Sequence, residues 1–301
     1  MTLGKRRIRV SGGELAYVDE GDGPPAVLVH GFPTSSHLWR DLVPMLAPRF
    51  RVIAPDLLGY GDSDKPDDPA ALSPTRQARY VLELLNGLGL DDPALVGHDI
   101  GGGIAQLLAL DGEVRTMVLV DSIAFDSWPI EAVRMLQDAD PEGVDESFVR
   151  AMVGAALDTG MAHPERLSAE DRQEYERPWM AEPIAVVQAA LGIDGRGLFG
   201  TEERLTALDA RVLVVWGEDD PFQPAELAER LGDAMPGATV ALLPGCSHYV
   251  TEDAPEAVLP LIADYLRRVH LGEGHGHHAA ATPVELGVSF TRPDRPADPE
   301  A

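Results

Sequence analysis

Two patterns of apolar residues alternate along the first 124 positions. "ELAYVDEG" switches between polar and apolar side chains residue by residue, which predicts a half-buried strand. "PAVLVHGF", "PALVG" and "RTMVLVDS" are instead short unbroken apolar runs, as expected for strands buried on both faces, and "FRVIAPDLLGYGDSD" is a buried strand that breaks into a glycine-rich loop. Between them lie stretches of helical spacing: "TSSHLWRDLVPMLAPR", with Ser35 or Ser36 as its cap, then "TRQARYVLELLNGLGL", then "GGIAQLLALD". Strands alternating with helices predict an α/β fold with a mostly parallel central sheet flanked by helices.

The alternation stops near Phe125. From there to Thr206 the pattern is helical, as in "PIEAVRMLQDAD", "ESFVRAMVGAAL" and "SAEDRQEYERPWM", with no comparable apolar strand. It resumes at "ARVLVVWGEDD" and continues through a last strand, "ATVALLPG", to a last helix, "APEAVLPLIADYLRRVH". The expected organisation is therefore a core in two parts, residues 1–124 and 207–270, with a helical cap over residues 125–206. Such a cap would lie over the end of the sheet where ligands bind. Residues 271–301 are poor in apolar side chains and rich in Gly, Pro and charge, which predicts a disordered tail. His275, His277 and His278 fall in this tail and are read as solvated residues rather than a metal site.

Composition narrows the functions available. With 301 residues and 45% hydrophobic content, the chain is able to build one large core. Its formal charge of −26 opposes binding to nucleic acid or to anionic membrane surfaces. Only Lys5 and Lys65 are lysines, and arginine carries the remaining positive charge. No apolar run has the roughly 18 residues of a membrane span, and the basic start "MTLGKRRIRVSGG" lacks the apolar stretch of a signal peptide, so a soluble cytoplasmic protein is expected. Cys246 is the sole cysteine, which excludes an intrachain disulfide and a cysteine-based zinc cluster. The expected partners are a small-molecule substrate and water, with no metal and no cofactor. Oligomeric state is not legible.

Candidate chemistry centres on Asp99 in "ALVGHDIGGGIAQ". Glycines stand two residues before and two after it, the spacing of a sharp strand-to-helix turn that projects its apex side chain into a site. The following helix aims its N-terminus at that apex, and the backbone N–H of Ile100 is placed to donate. "HGFPTSS" lets the N–H of Phe32 face the same point, so Phe32 and Ile100 are the expected oxyanion hole. His248, on the loop between the last strand and the last helix, is the candidate base. The acid that orients it is expected in "VVWGEDDPFQP": Asp220 is favoured over Asp219, with Asp121 and Asp126 as the other sources. An ordinary helix-capping aspartate is the alternative reading of Asp99.

"HGFPTSSHLWR", "APDLLGYGDSDKP" and "GHDIGG" resemble the α/β-hydrolase fold family, over about residues 21–268, and within it the branch with an aspartate nucleophile. The resemblance implies attack of Asp99 on a saturated carbon to give an alkyl ester, then hydrolysis of the ester by water activated by His248 and Asp220. It implies an epoxide hydrolase first and a haloalkane dehalogenase second; a ligand-binding member without turnover is the alternative of a different class. Relatives often carry halide-holding side chains where this chain has Phe32 and Ile100, so cap residues Trp128, Trp179 or Gln188 are expected to supply that contact. Ile100 and Gly103 replace the arginines that hold a haloacid carboxylate, which disfavours such substrates. Tyr175, the one tyrosine of the insertion, is the candidate proton donor to an epoxide oxygen, with packing of a helix-face tyrosine on the core as the equal alternative. His37 is expected either to line the pocket or to cap a helix. Asp62 and Asp64 are expected as turn formers, and Cys246 as a packing residue.

Overall fold

The computed structural model describes residues 4–272 and 289–291. In chain order the elements are β1 (Lys5–Val10), β2 (Gly13–Glu20), β3 (Pro25–Val29), α1 (Leu42–Leu46), β4 (Arg51–Pro55), α2 (Pro74–Gly87), β5 (Ala94–His98), α3 (Ile100–Leu110) and β6 (Thr116–Val120). Five helices follow: α4 (Glu131–Gln137), α5 (Glu146–Gly160), α6 (Ala169–Met180), α7 (Ile184–Gly192) and α8 (Glu202–Thr206). The sheet resumes with β7 (Arg211–Gly217), α9 (Glu226–Ala234), β8 (Thr239–Leu243), α10 (Val250–Asp253), α11 (Pro255–Val269) and β9 (Ser289–Thr291).

One sheet runs in the order β1-β2-β4-β3-β5-β6-β7-β8-β9. From β4 to β8 every pairing is parallel, whereas β1, β2 and β9 pair antiparallel at the edges. The central strands explain their own composition: every residue of β5 and β6 is buried, so no polar face is needed. Helix α2 starts where Ser73 accepts from the N–H of Arg76 with Pro74 in the first turn, and it buries Ala78, Val81, Leu84 and Leu85. Helix α3 is apolar almost throughout because it packs inside the molecule.

Two local expectations change, and one strand is additional to those read from the sequence. "TSSHLWRDLVPMLAPR" is a 3-10 turn at Ser36–Trp39 followed by the short α1, and Ser35 is the cap. The basic start forms β1, whose Lys5 lies between Asp56 and Asp62 at 2.6 and 2.7 Å. In the expected tail, Ser289–Thr291 is a strand, pairing antiparallel with Leu242, Ala241 and Val240 of β8. The short alternation in "GVSFTRP" is its only sequence signal, diluted by the Gly and Pro around it. His275, His277 and His278 lie outside the described residues.

Helices α4–α8 stand between β6 and β7 and meet the core through named contacts. The indole of Trp179 donates to the carbonyl of Pro33 at 3.1 Å, and Arg177 pairs with Asp62 at 2.9 Å. Asp253 accepts from the backbone N–H groups of Ala162 and His163, and the N–H of Tyr249 donates to Gly160. No helix among the described residues is long and apolar enough to cross a membrane.

Candidate active site

Asp99 sits one residue past β5 with φ 51° and ψ −119°, a strained backbone for a residue with a side chain. The turn is held because its neighbours leave no slack. A Cβ on Gly31 would come within 2.5 Å of the Cβ of Asp99, and one on Gly97 would strike the backbone of Gly101. The carboxylate is fully buried. Its Oδ2 accepts from the N–H of Phe32 at 2.9 Å, the N–H of Ile100 also stabilises the charge, and Oδ1 has no partner. Burial, opposed by His248 and by these two N–H groups, pushes its pKa up to about 6.

The loop that carries Phe32 is fixed by His30. The Nδ1–H of this buried ring donates to the carbonyl of Gly31 and its Nε2 accepts from the N–H of Leu57, at 2.9 and 3.0 Å. Burial lowers its pKa to about 4, so the ring is neutral and its tautomer is set by those partners.

His248 follows β8 on the loop before α10. Its Nδ1 is 2.9 Å from Asp220 Oδ2, and Asp220 Oδ1 accepts from the N–H groups of Phe222 and Gln223, which fixes the plane of the carboxylate. Burial opposes the charge on His248, but Asp220 and Asp99 outweigh it and its pKa is raised. The three other acids are placed elsewhere. Asp219 is exposed, Asp126 pairs with Arg230, and Asp121 Oδ1 accepts from the N–H of Gly217. Asp121 is buried close to Asp220, and both burial and that charge push its pKa well above the usual carboxylate range.

Asp99 and His248 open onto a cavity of about 240 Å³, walled largely by Phe32, Trp128, Leu136, Met152, Phe222 and Tyr249. Among the described residues, no lysine or arginine lines it. Trp128 is buried and its indole N–H has no partner among the described residues. The other cap candidates are not on this wall. Trp179 spends its N–H on Pro33, Gln188 lies off the cavity, and the hydroxyl of Tyr175 donates to Glu252 at 2.5 Å, where Arg40 also binds. Of the two readings of Tyr175, the packed one fits its position: the hydroxyl of this helix-face tyrosine meets a buried carboxylate rather than the cavity. Nothing in "EDRQEYERPW" names Glu252 as its partner, because that partner comes from α10.

His37 joins the same network through Asp171 at 2.9 Å. It borders a larger, open cleft of about 630 Å³ lined by charged residues such as Arg150 and Arg177, which touches none of Asp99, Asp220 or His248. Asp62 bonds Lys5 and Arg177, and Asp64 accepts from the N–H of Glu14, so both tie segments together as well as forming a turn. Cys246 is buried, and its thiol is pushed up to about 12 by burial. Sequence reasoning missed Tyr249 and Phe222, which reach the cavity only because their loops converge there.

Comparison with known proteins agrees with this geometry at the level of the fold. The chain is similar to haloalkane dehalogenase 2 of Mycobacterium tuberculosis, with 30% identity over 270 residues, covering 84% of this chain and 92% of that protein. It is equally similar to the soluble epoxide hydrolase of a Corynebacterium species, at 30% over 275 residues and 83% and 92% coverage. Among solved structures, an alpha/beta hydrolase fold protein from Burkholderia ambifaria superposes with a TM-score of 0.80 at 34% identity, covering 88% of this chain and 98% of that one. The profile of the alpha/beta hydrolase family matches residues 26–261. On this evidence the chain belongs to the α/β-hydrolase family.

Proposed function

We propose that the protein is a hydrolase that displaces a leaving group from a saturated carbon through an alkyl ester on Asp99. The observation that carries this reading is the state of the Asp99 carboxylate. It is buried on an apolar cavity, with Oδ2 held by the N–H of Phe32 and Oδ1 unpartnered. A carboxylate needs no base for its attack, unlike a serine hydroxyl. Oδ1 attacks the carbon, the C–O bond forms, and the leaving group departs with the electron pair of its own bond. His248, oriented by Asp220, then takes a proton from water, and the hydroxide adds to the Asp99 carbonyl carbon. The N–H groups of Phe32 and Ile100 hold the resulting oxyanion. Collapse breaks the bond between the carbonyl carbon and the alkyl oxygen, which takes the proton back from His248 and leaves as an alcohol; Asp99, left as the neutral acid, loses its proton to water and becomes a carboxylate again.

The cavity wall favours a leaving group that departs as a stable anion, of which halide is the simplest. The spare indole N–H of Trp128 suits such an anion, since it donates a hydrogen bond without giving up its proton. A carboxylate-bearing substrate finds no cation on the wall. The relatives that act as haloalkane dehalogenases support this choice. Epoxide opening is the second reading, supported by the epoxide hydrolase relative and by the phenol of Tyr249 on the wall. It loses Tyr175, whose hydroxyl is committed to Glu252.

The test is intact-protein mass spectrometry of His248→Gln after incubation with short bromoalkanes and with short epoxides, followed by digestion to locate the adduct. The expected result is an alkyl group on Asp99 with bromide lost. Addition of a whole epoxide mass, with bromoalkanes inert, transfers the assignment to epoxide opening. Absence of any adduct removes the alkyl-ester mechanism. In an otherwise intact enzyme, Trp128→Phe is expected to slow bromide release by roughly 100-fold, the scale of one lost donor to a developing anion.

A further inference from the structure

His98, the residue before Asp99, is not used by the chemistry above, yet it is fully buried beside the site. Its Nε2 lies 3.0 Å from the backbone carbonyl of His248. A carbonyl only accepts, so Nε2 carries the proton, and Nδ1 is left bare, with no partner among the described residues. The ring is 4.7 Å from the ring of His248 and stacks on Tyr249 at 5.5 Å. Asp220 reaches the imidazole of His248 from one side, whereas His98 reaches its main chain from β5, the strand that also delivers Asp99.

Resting on the proposed mechanism, we infer that His98 is a positioning residue for ester hydrolysis: its Nε2–H, donated to the carbonyl of His248, ties the base to the strand that carries the nucleophile. The bond fixes the distance between the two groups that exchange a water molecule in the second step. Alkylation uses Asp99 and the leaving-group contact of Trp128 but not the base His248, and is indifferent to that bond. The bare Nδ1 has a further consequence. No acceptor faces it, so a protonated His98 would hold an unpaired buried N–H against the imidazolium of His248, and the positive charge formed during hydrolysis stays on His248.

The experiment separates the two steps in single-turnover reactions of the full chain with 1-bromobutane, following adduct formation and adduct loss by mass spectrometry. In His98→Leu, alkylation is expected within about threefold of the unmodified protein, while ester hydrolysis slows by about tenfold or more and the adduct accumulates. Glutamine places its amide N–H near the position of Nε2, so His98→Gln is expected to restore most of the hydrolysis rate. Equal loss in both variants overturns the hydrogen-bond assignment, as does His98→Leu that releases its ester at the unmodified rate. If His98→Leu does not fold, His98→Asn, whose amide is one carbon too short, replaces it in the comparison with His98→Gln. His248→Gln is the control: with no adduct there, the ester mechanism itself fails, whereas an adduct there with normal release in His98→Leu overturns this inference alone.

Discussion

Asp99 holds a charge where the protein makes charge costly. Its pKa of about 6 lies above the ordinary 3.8, so between those values the folded chain binds a proton that the unfolded chain has lost. Stability contributed by this residue is therefore at its best below pH 3.8 and falls as pH rises to 6. Asp99→Asn, which keeps an acceptor for Phe32, is expected to be more stable than the unmodified protein at pH 7 by roughly 3 kcal/mol, the energy of a two-unit shift. Urea unfolding at pH 7 and at pH 4.5 tests this: the gain should shrink at the lower pH, and a gain of equal size at both would point to strain relief instead. The same protonation is expected to reduce alkylation below pH 6. In the proposed mechanism, ester formation removes the negative charge of Asp99, and one of the two charges that raise the pKa of His248 goes with it. His248 thus becomes easier to use as a base at the step that needs one.

At the scale of elements, the helices between β6 and β7 meet the sheet-bearing part of the chain on the segment that follows His248. Glu252 receives the hydroxyl of Tyr175 from α6 and both terminal nitrogens of Arg40, at 2.6 and 2.7 Å, and Asp253 binds the loop just after α5 through the backbone N–H groups of Ala162 and His163. Tyr175→Phe is expected to destabilise the protein by about 1.5–3 kcal/mol, as for a hydrogen bond to a charged group, while turnover stays within about threefold. A loss of turnover of 100-fold or more without a change in stability would return Tyr175 to the chemistry. The elements around the site were legible in the sequence because each announces itself locally: the glycines around Asp99 mark the turn, and the unbroken apolar runs mark the parallel strands. What was not legible depends on convergence. The partners of Tyr175, the free indole of Trp128 and the place of Tyr249 follow from how α4–α6 settle on the core, and no spacing within one segment encodes that. Strand β9 was hidden for a different reason, since three residues between Gly and Pro carry too little pattern to outweigh their surroundings.

For the whole molecule, the sheet acts as a shared base plate. Asp99, Asp220 and His248 arrive from the ends of β5, β7 and β8, and the sheet register fixes their spacing before any side chain chooses a rotamer. The same molecule carries 50 acidic residues against 24 lysines and arginines, and its cavity wall adds no cation to counter them. A neutral substrate enters this field without penalty, whereas the anion released in the proposed reaction is repelled by it. Under that mechanism the field acts as an electrostatic one-way valve for the product. Inhibition by added bromide is expected to be weakest at low ionic strength and to strengthen several-fold as an inert salt of sulfate screens the field. Steady-state inhibition constants at about 10 and 300 mM ionic strength would show this, and a constant that did not move would mean that the cavity is insulated from the charge around it.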